Sequence, residues 1–124
     1  MTKTVMLAED EPNIVESLTF LLERAGFEIS VATNGRVALE AALEDQPDVL
    51  VLDLMLPELD GYEVLRQLRA NPKGENLSVL MLTAKGQRID RETALECGAN
   101  RFMTKPFANA ELVAAVKELS ETSD

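Results

Sequence analysis

Hydrophobic and polar residues alternate along the chain in two rhythms, short apolar runs and longer segments with helical spacing. Residues 4–8, 49–52 and 79–82 are apolar runs of strand length. The last two are apolar at every position, which is typical of a strand buried on both faces in the middle of a parallel sheet. Residues 27–33 instead alternate apolar and polar, the period of a strand, and residues 101–103 predict a short fifth strand.

Helical spacing of apolar residues follows these runs in five segments. They lie at residues 13–25, 37–43, 61–69, 89–97 and 110–119. Pro12 before the first segment and Gly26 after it are typical start and stop signals of a helix, and Gly98 ends the fourth segment in the same way. No low-complexity stretch or linker divides the chain, so the sequence predicts one domain over residues 1–124.

Strands that alternate with helices predict an α/β fold, a three-layer sandwich with a parallel sheet between two helical layers. Right-handed crossovers leave few arrangements of such a chain. In sheets of this kind the functional site lies beyond the carboxyl ends of the strands, near the point where the strand order reverses. The residues that follow each apolar run are therefore where chemistry is expected.

Composition narrows the class of protein. The formal net charge of −10 argues against direct nucleic-acid binding, because phosphate contacts need clustered Lys and Arg. No apolar run approaches the roughly 18 residues that span a bilayer, and the first residues do not resemble a signal peptide. A single cysteine fits a reducing compartment, so we expect a cytoplasmic protein with no membrane segment. The absence of histidine excludes His-dependent triads and His metal ligands.

Charged and hydroxyl side chains follow four of the five predicted strands. Glu9 and Asp10 follow the first strand, Asp53 the third, Thr83 the fourth and Lys105 the fifth. Because parallel strands end at one edge of the sheet, three carboxylates, one hydroxyl and one ammonium should converge there. Clustered carboxylates repel one another unless a cation lies among them, and oxygen ligands without His or Cys favour a hard ion such as Mg²⁺.

A carboxylate at such an edge can also act as a nucleophile and form an aspartyl phosphate, and Asp53 is the candidate. Phosphoryl transfer needs charge neutralisation on the equatorial oxygens, which a divalent cation, Lys105 and the Thr83 hydroxyl can together supply. Taken singly, each residue has a plainer interpretation: the acidic cluster at Glu9 as a solvated helix cap, Thr83 as a turn hydroxyl and Lys105 as a surface lysine.

With these residues in place, the chain resembles the receiver domain of two-component response regulators over essentially its whole length. The matching motifs, in chain order, are Glu9-Asp10-Glu11, Val51-Leu52-Asp53-Leu54-Met55-Leu56-Pro57, Asp60-Gly61, Leu82-Thr83-Ala84 and Lys105-Pro106-Phe107. Each motif is weak alone, whereas all of them in this order at predicted strand ends are specific. The resemblance implies a flavodoxin-like fold, similar to that of chemotaxis regulators, with five helices and five parallel strands in the order 2-1-3-4-5.

The resemblance also implies roles for the residues at the strand ends. Asp53 would accept a phosphoryl group from a histidine kinase or a histidine phosphotransfer protein. Asp10, Asp53 and the backbone carbonyl of Met55 would bind Mg²⁺ directly, and Glu9 would act through a bound water. Lys105 would pair with the phosphoryl oxygens.

A switch between an inactive and an active state is a further implication of the resemblance. Thr83 would hydrogen-bond to the phosphoryl group, and the ring of Phe102 would change rotamer as Thr83 moves. The Lys105-Pro106 peptide bond would be cis. The output surface would surround the helix predicted at residues 89–97, the fifth strand and the last helix, and would regulate a downstream protein or an output domain. Homodimerisation on activation is left open.

Two positions depart from the commonest pattern of that family. Glu9 stands where Asp is more usual, and its extra methylene shifts the carboxylate. Phe102 stands where Tyr is frequent, so any switch must work by packing alone, and from the residues alone Phe102 also fits a core position.

Three other classes of protein are alternatives to a phosphoacceptor. An Mg²⁺-dependent phosphohydrolase with an aspartate nucleophile usually has a second aspartate two residues after the first, where this chain has Met55. A nucleotide- or flavin-binding module is disfavoured because the six glycines form neither common phosphate-binding motif. A degenerate receiver that acts only as a scaffold is disfavoured because all five site residues are present.

Overall fold

A computed structural model describes residues 2–84, 92, 93 and 95–121. The five strands of this structure are β1 (Thr4–Ala8), β2 (Glu28–Ala32), β3 (Val49–Asp53), β4 (Ser78–Ala84) and β5 (Arg101–Lys105). The four continuous helices of the described part are α1 (Pro12–Arg24), α2 (Gly35–Asp45), α3 (Gly61–Arg69) and α4 (Asn109–Glu121). Strands and helices therefore alternate as the sequence predicted.

The helix count differs from the prediction of five. The segment at residues 89–97 falls partly outside the described residues, and of its described residues Glu92, Thr93, Leu95 and Glu96 are helical. The other four predicted helices are present within a few residues of their predicted bounds.

All five strands are parallel and lie in the order β2-β1-β3-β4-β5, the order that the resemblance implied. Strands β3 and β4 each have a neighbour on both sides, and residues 49–52 and 79–82 are completely buried, which confirms the prediction from their continuous apolar sequence. Strand β2 forms one edge of the sheet. The alternation of residues 27–33 put Val31 among the apolar positions, yet its side chain is 43% exposed at this edge.

The two faces of the sheet carry separate apolar clusters, because successive strand residues point to opposite sides. One cluster packs beneath α2 and α3 and includes Met6, Leu50, Leu52, Leu65, Leu68 and Met81. The other packs beneath α1 and α4 and includes Leu7, Leu18, Leu22, Leu80, Leu82 and Leu112. Helices thus cover both faces, and the architecture is a three-layer α/β sandwich.

Strand β5 is two residues longer than predicted. Thr104 pairs in register with Thr83, and Lys105 pairs with Ala84. The predicted strand covered residues 101–103, but backbone pairing with β4 continues through Thr104 and Lys105. Lys105 is therefore the last residue of a strand and does not begin a loop.

The half-buried guanidinium of Arg69 joins three separate segments near the amino ends of β4 and β5. Arg69 donates to the carbonyl oxygen of Gly98 at 2.7 and 3.0 Å, to that of Gly74 at 2.8 Å and to Asn100 Oδ1 at 2.9 Å. Asn100 Oδ1 also accepts from the backbone of Val79 at the start of β4, at 2.8 Å. Burial lowers the pKa of Arg69 from its usual value. One side chain therefore links the end of α3 to the loop before β4 and to the turn before β5.

Replacement of this arginine should cost far more stability than replacement of its neighbour on α3. We expect Arg69→Met to lower the free energy of unfolding by about 2–3 kcal/mol, because several hydrogen bonds from a charged group are lost and the half-buried Gly98 carbonyl loses both of its bonds from the guanidinium. Arg66→Met is the matched control, since the Arg66 guanidinium is exposed and, among the described residues, its ion pair is with Glu63. Urea denaturation of both variants checks the expectation, and equal losses would contradict it.

Candidate functional site

Topology places the carboxyl ends of β1 and β3 side by side at the point where the strand order reverses. Ala8, the last residue of β1, pairs in register with Leu52 of β3 and also with Ala32 of β2. Glu9 follows directly after β1, and Asp53 is the last residue of β3. Two residues more than forty positions apart in the sequence therefore lie at the same crevice.

Three carboxylates meet in this crevice. Glu9, Asp10 and Asp53 each offer an oxygen, and these three oxygens lie within 4.8 Å of one another. Glu9 is completely buried and Asp53 nearly so, whereas Asp10 is exposed. The second Glu9 oxygen, Oε2, accepts from the backbone amides of Asp10 and Glu11, both at 3.2 Å, so the turn after β1 holds the side chain in place.

The Lys105 ammonium reaches the same crevice from β5. Its Nζ lies 2.9 Å from Glu9 Oε1, 3.4 Å from Asp53 Oδ1 and 3.8 Å from Glu11 Oε1. The Lys105-Pro106 peptide bond is cis, as the resemblance implied. Glu11 was not among the predicted site residues, although its place in the acidic run after β1 was a signal that could have found it.

Burial and pairing act against each other on these groups. Burial raises the pKa of Glu9, and this effect outweighs the hydrogen bond from Lys105, which favours the charged carboxylate. Burial alone would lower the pKa of Lys105, but the hydrogen bond to Glu9 and the negative charges of Asp53 and Glu9 more than offset it, and that pKa is raised. The ammonium therefore stays charged, whereas burial favours the neutral form of Glu9.

The remaining predicted residues lie around this centre at different depths. Met55 follows Asp53 on the surface, 65% exposed, and its backbone amide donates to Asp53 Oδ1 at 3.4 Å. Thr83 is buried on β4, one position beyond the Leu82 that pairs with Asp53. Phe102 is half-buried on β5 and packs against the cluster beneath α2 and α3, so it contributes to the core.

A cavity of about 740 Å³ opens beside the carboxylates and extends along α1. Asp10, Asp53 and Lys105 lie at its charged end, and Ile14, Leu18 and Phe107 line its apolar part. Ile14 and Leu18 lie four residues apart on the side of α1 that packs on the sheet, and such spacing does not tell a covered helix face from one beside an open cavity.

The donor set fits a hard divalent cation. The three converging ligand atoms of Glu9, Asp10 and Asp53 are carboxylate oxygens, the type that Mg²⁺ prefers, and no soft sulfur or nitrogen ligand takes part in the described cluster. The exposed position of Asp10 beside the cavity gives such an ion access from solvent.

Comparison with known proteins identifies the family. The family model of the response regulator receiver domain matches residues 5–117. The chain belongs to the response regulator receiver domains. A curated relative, the alkaline phosphatase synthesis transcriptional regulatory protein PhoP of Bacillus subtilis, is 43% identical over 124 residues, which is the whole of this chain and 51% of that protein. The receiver domain described here thus spans about half the length of that relative.

Solved structures of receiver domains superpose closely on this one. A response regulator from Chloroflexus aurantiacus gives a TM-score of 0.92 at 35% identity, with 98% of this chain and 99% of that chain covered. The receiver domain of a sensor histidine kinase from Pseudomonas aeruginosa gives a TM-score of 0.90 at 30% identity, with 98% of this chain and 100% of that chain covered, and has magnesium coordinated in its active-site cleft.

Among the helices described for the present receiver domain, none is long and apolar enough to cross a membrane.

The buried Glu9 carboxylate makes stability depend on pH in a defined direction. Between the ordinary value of 4.5 and its raised folded pKa, Glu9 binds a proton more readily in the folded than in the unfolded chain. Its ionisation therefore destabilises the fold as pH rises through that window. In metal-free buffer at pH 7 we expect Glu9→Gln to be more stable than the unchanged chain, and the difference to shrink as pH falls towards 4.5.

Urea denaturation across this pH range measures the effect. Glu40→Gln, on the exposed side of α2, controls for the loss of one surface carboxylate. A difference between Glu9→Gln and the unchanged chain that widens on acidification would contradict the assignment of burial as the dominant influence on Glu9.

Proposed function

We propose that this receiver domain accepts a phosphoryl group on Asp53 from a histidine kinase or histidine phosphotransfer protein, in a reaction that requires Mg²⁺. The observation that carries the proposal is the position of the Asp53 carboxylate. It lines the 740 Å³ cavity, 3.4 Å from the Lys105 ammonium and beside the Glu9 and Asp10 carboxylates. The 124 residues act as one cytoplasmic receiver unit.

The chemical step is a phosphoryl transfer between donor and acceptor. A carboxylate oxygen of Asp53 forms the new bond to phosphorus while the phosphorus–nitrogen bond of the donor phosphohistidine breaks. The donor imidazole leaves with the electron pair of that bond. The attack needs no general base, because a carboxylate nucleophile carries no proton that has to be removed.

Glu9, Asp10, Asp53 and the Met55 carbonyl would hold the Mg²⁺, with Glu9 acting through a water. When bound, the ion neutralises negative charge on the transferred group. Support for this set comes from the convergence of three carboxylate oxygens and from the magnesium in the cleft of the Pseudomonas aeruginosa relative.

Lys105 and Thr83 would act on the phosphoryl oxygens. The ammonium is held charged at the site, and the hydroxyl lies on the neighbouring strand at the same sheet edge. Their contacts with the phosphoryl group would favour the active state over the inactive one. A shift from mostly inactive to mostly active needs about 5 kcal/mol of differential stabilisation, which several charge-assisted hydrogen bonds can supply. Phe102 would follow Thr83 by repacking.

The output of this switch would be contact with a downstream protein or an output domain, and homodimerisation on activation would be one form of it. The net charge of −10 favours a protein partner over direct nucleic-acid contact by these residues. The alternative of an aspartate-nucleophile phosphohydrolase is disfavoured, because Met55 occupies the position of the general acid and its side chain cannot donate a proton.

Phosphorylation of Asp53 can be tested directly. Incubation with acetyl phosphate and Mg²⁺ should add about 80 Da to the intact mass, one phosphoryl group. Asp53→Asn should abolish the adduct, whereas Asp45→Asn, exposed at the end of α2, should keep it. An adduct that persists in Asp53→Asn, or none with any phosphodonor on the unchanged chain, would refute the proposal. Multiple turnover of a generic phosphomonoester would favour the phosphohydrolase.

The switch can be tested separately with a phosphoryl analogue. Beryllofluoride with Mg²⁺ should shift the amide signals of Thr83 and Phe102 in the unchanged chain, because both residues would follow the bound group. Thr83→Ala should reduce the response at Phe102 while leaving Mg²⁺ binding in place. Unchanged signals at both positions in the presence of the bound analogue would refute the switch.

A further inference from the structure

Two Asx–Gly pairs, Asn34-Gly35 and Asp60-Gly61, begin α2 and α3 in the same way. Asn34 Oδ1 accepts from the backbone of Val37 at 2.9 Å, and Asp60 Oδ1 accepts from the backbone of Glu63 at 2.9 Å. These caps explain the Asn and the Asp. They do not explain the glycines, because the first position of a helix accepts most residues.

Gly35 is required by lack of space and not by its backbone angles, which are not in the left-handed region. A Cβ atom at this position would lie 2.6 Å from the carbonyl carbon of Leu59 and would overlap the carbonyl oxygen. The Gly35 amide donates to the carbonyl of Pro57 at 3.0 Å. The start of α2 therefore lies directly against the backbone of the loop that follows Asp53.

Gly61 contacts the beginning of the same loop, whereas Gly35 contacts its end. A Cβ atom here would lie 2.8 Å from the Asp53 carbonyl oxygen and 2.8 Å from Leu54 Cα. The Gly61 amide donates to the Leu54 carbonyl at 2.8 Å, and the Leu54 amide donates to Leu82 of β4 at 2.9 Å. The beginning of the loop is thus fastened to β4 and to α3.

The loop between these two glycines is held in an unusual conformation. Glu58 has a φ of +69°, the left-handed region that non-glycine residues seldom adopt. Leu54 and Leu56 are buried, and only Met55 between them is largely exposed. A conformation of this kind persists when its surroundings determine it. The contacts of Gly35 and Gly61 are such surroundings.

We propose that Gly35 is a positioning residue for the phosphoacceptor site. Its close approach presses residues 57–59 against the start of α2 and so sets where Met55 lies relative to Asp53. This inference rests on the proposed function, in which Met55 and Asp53 share a cation. Gly61 contacts the beginning of the same loop, and the contacts of Gly35 and Gly61 together are called the clamp.

The test compares Gly35→Ala with Asn34→Ala in the full chain. Asn34→Ala removes the cap at the start of α2 but adds no atom against the loop. It therefore weakens the start of the helix, as Gly35→Ala does, without displacing residues 57–59. Mg²⁺ is titrated while the amide signals of Asp53 and Met55 are followed by NMR. Gly35→Ala should weaken Mg²⁺ binding by about tenfold or more, the scale found when supports of a metal ligand are changed. Asn34→Ala should bind as the unchanged chain does.

Equal Mg²⁺ affinity of folded Gly35→Ala and the unchanged chain would overturn the inference, and so would an equal loss in Asn34→Ala. Where Gly35→Ala fails to fold, Gly61→Ala against its cap control Asp60→Ala decides, because the overlap at Gly61 is milder. Gly61→Ala should then weaken Mg²⁺ binding more than Asp60→Ala, and the reverse order would refute the clamp.

Failure of the proposed function is recognised separately, as absence of Mg²⁺ binding by the unchanged chain. In that case the amide signals of Met55 and Asp53, recorded without metal, test whether Gly35 positions the loop. Gly35→Ala must displace the signals of Met55 and Asp53 more than Asn34→Ala does, and equal displacement would refute the inference.

Discussion

The burial of two acidic side chains beside one ammonium is the constraint on which the site of this receiver domain depends. Parallel strands bring Glu9, Asp10 and Asp53 to one crevice, where burial of Glu9 and Asp53 removes much of the water that would otherwise screen their charges. Lys105 is the compensating charge of the described site, and it comes from the far edge of the sheet. The helices and strands that carry these four residues must therefore be in place before the site exists.

Much of this arrangement could be predicted from the sequence because it rests on local patterns. The apolar runs at residues 49–52 and 79–82 indicated central strands, and both are completely buried between neighbours. Once the strands are known to be parallel, the rule that their carboxyl ends meet places Glu9 and Asp53 at the same edge of the sheet. The strand order came from the family resemblance, since periodicity alone allows several orders.

The features that could not be predicted depend on contacts between residues distant in sequence. The Lys105–Glu9 hydrogen bond joins positions 96 apart, and nothing near either residue specifies it. Gly35 contacts the loop after Asp53 through the backbone, and a glycine at the first position of a helix does not say what lies against it. Arg69 likewise looked like any arginine at the end of an amphipathic helix, because its acceptors are carbonyls, which every sequence contains.

The extension of β5 through Lys105 has a consequence for motion. The main chain of this residue belongs to the hydrogen-bonded ladder with β4, while its ammonium sits among three acidic partners at the end of four methylene groups. A change of partner therefore needs only rotation about side-chain bonds, and no pairing between strands has to break. Rotations of this kind are among the fastest motions of a protein, whereas shifts of whole elements are far slower. The ammonium can respond to a new charge in the crevice before the surrounding framework has moved.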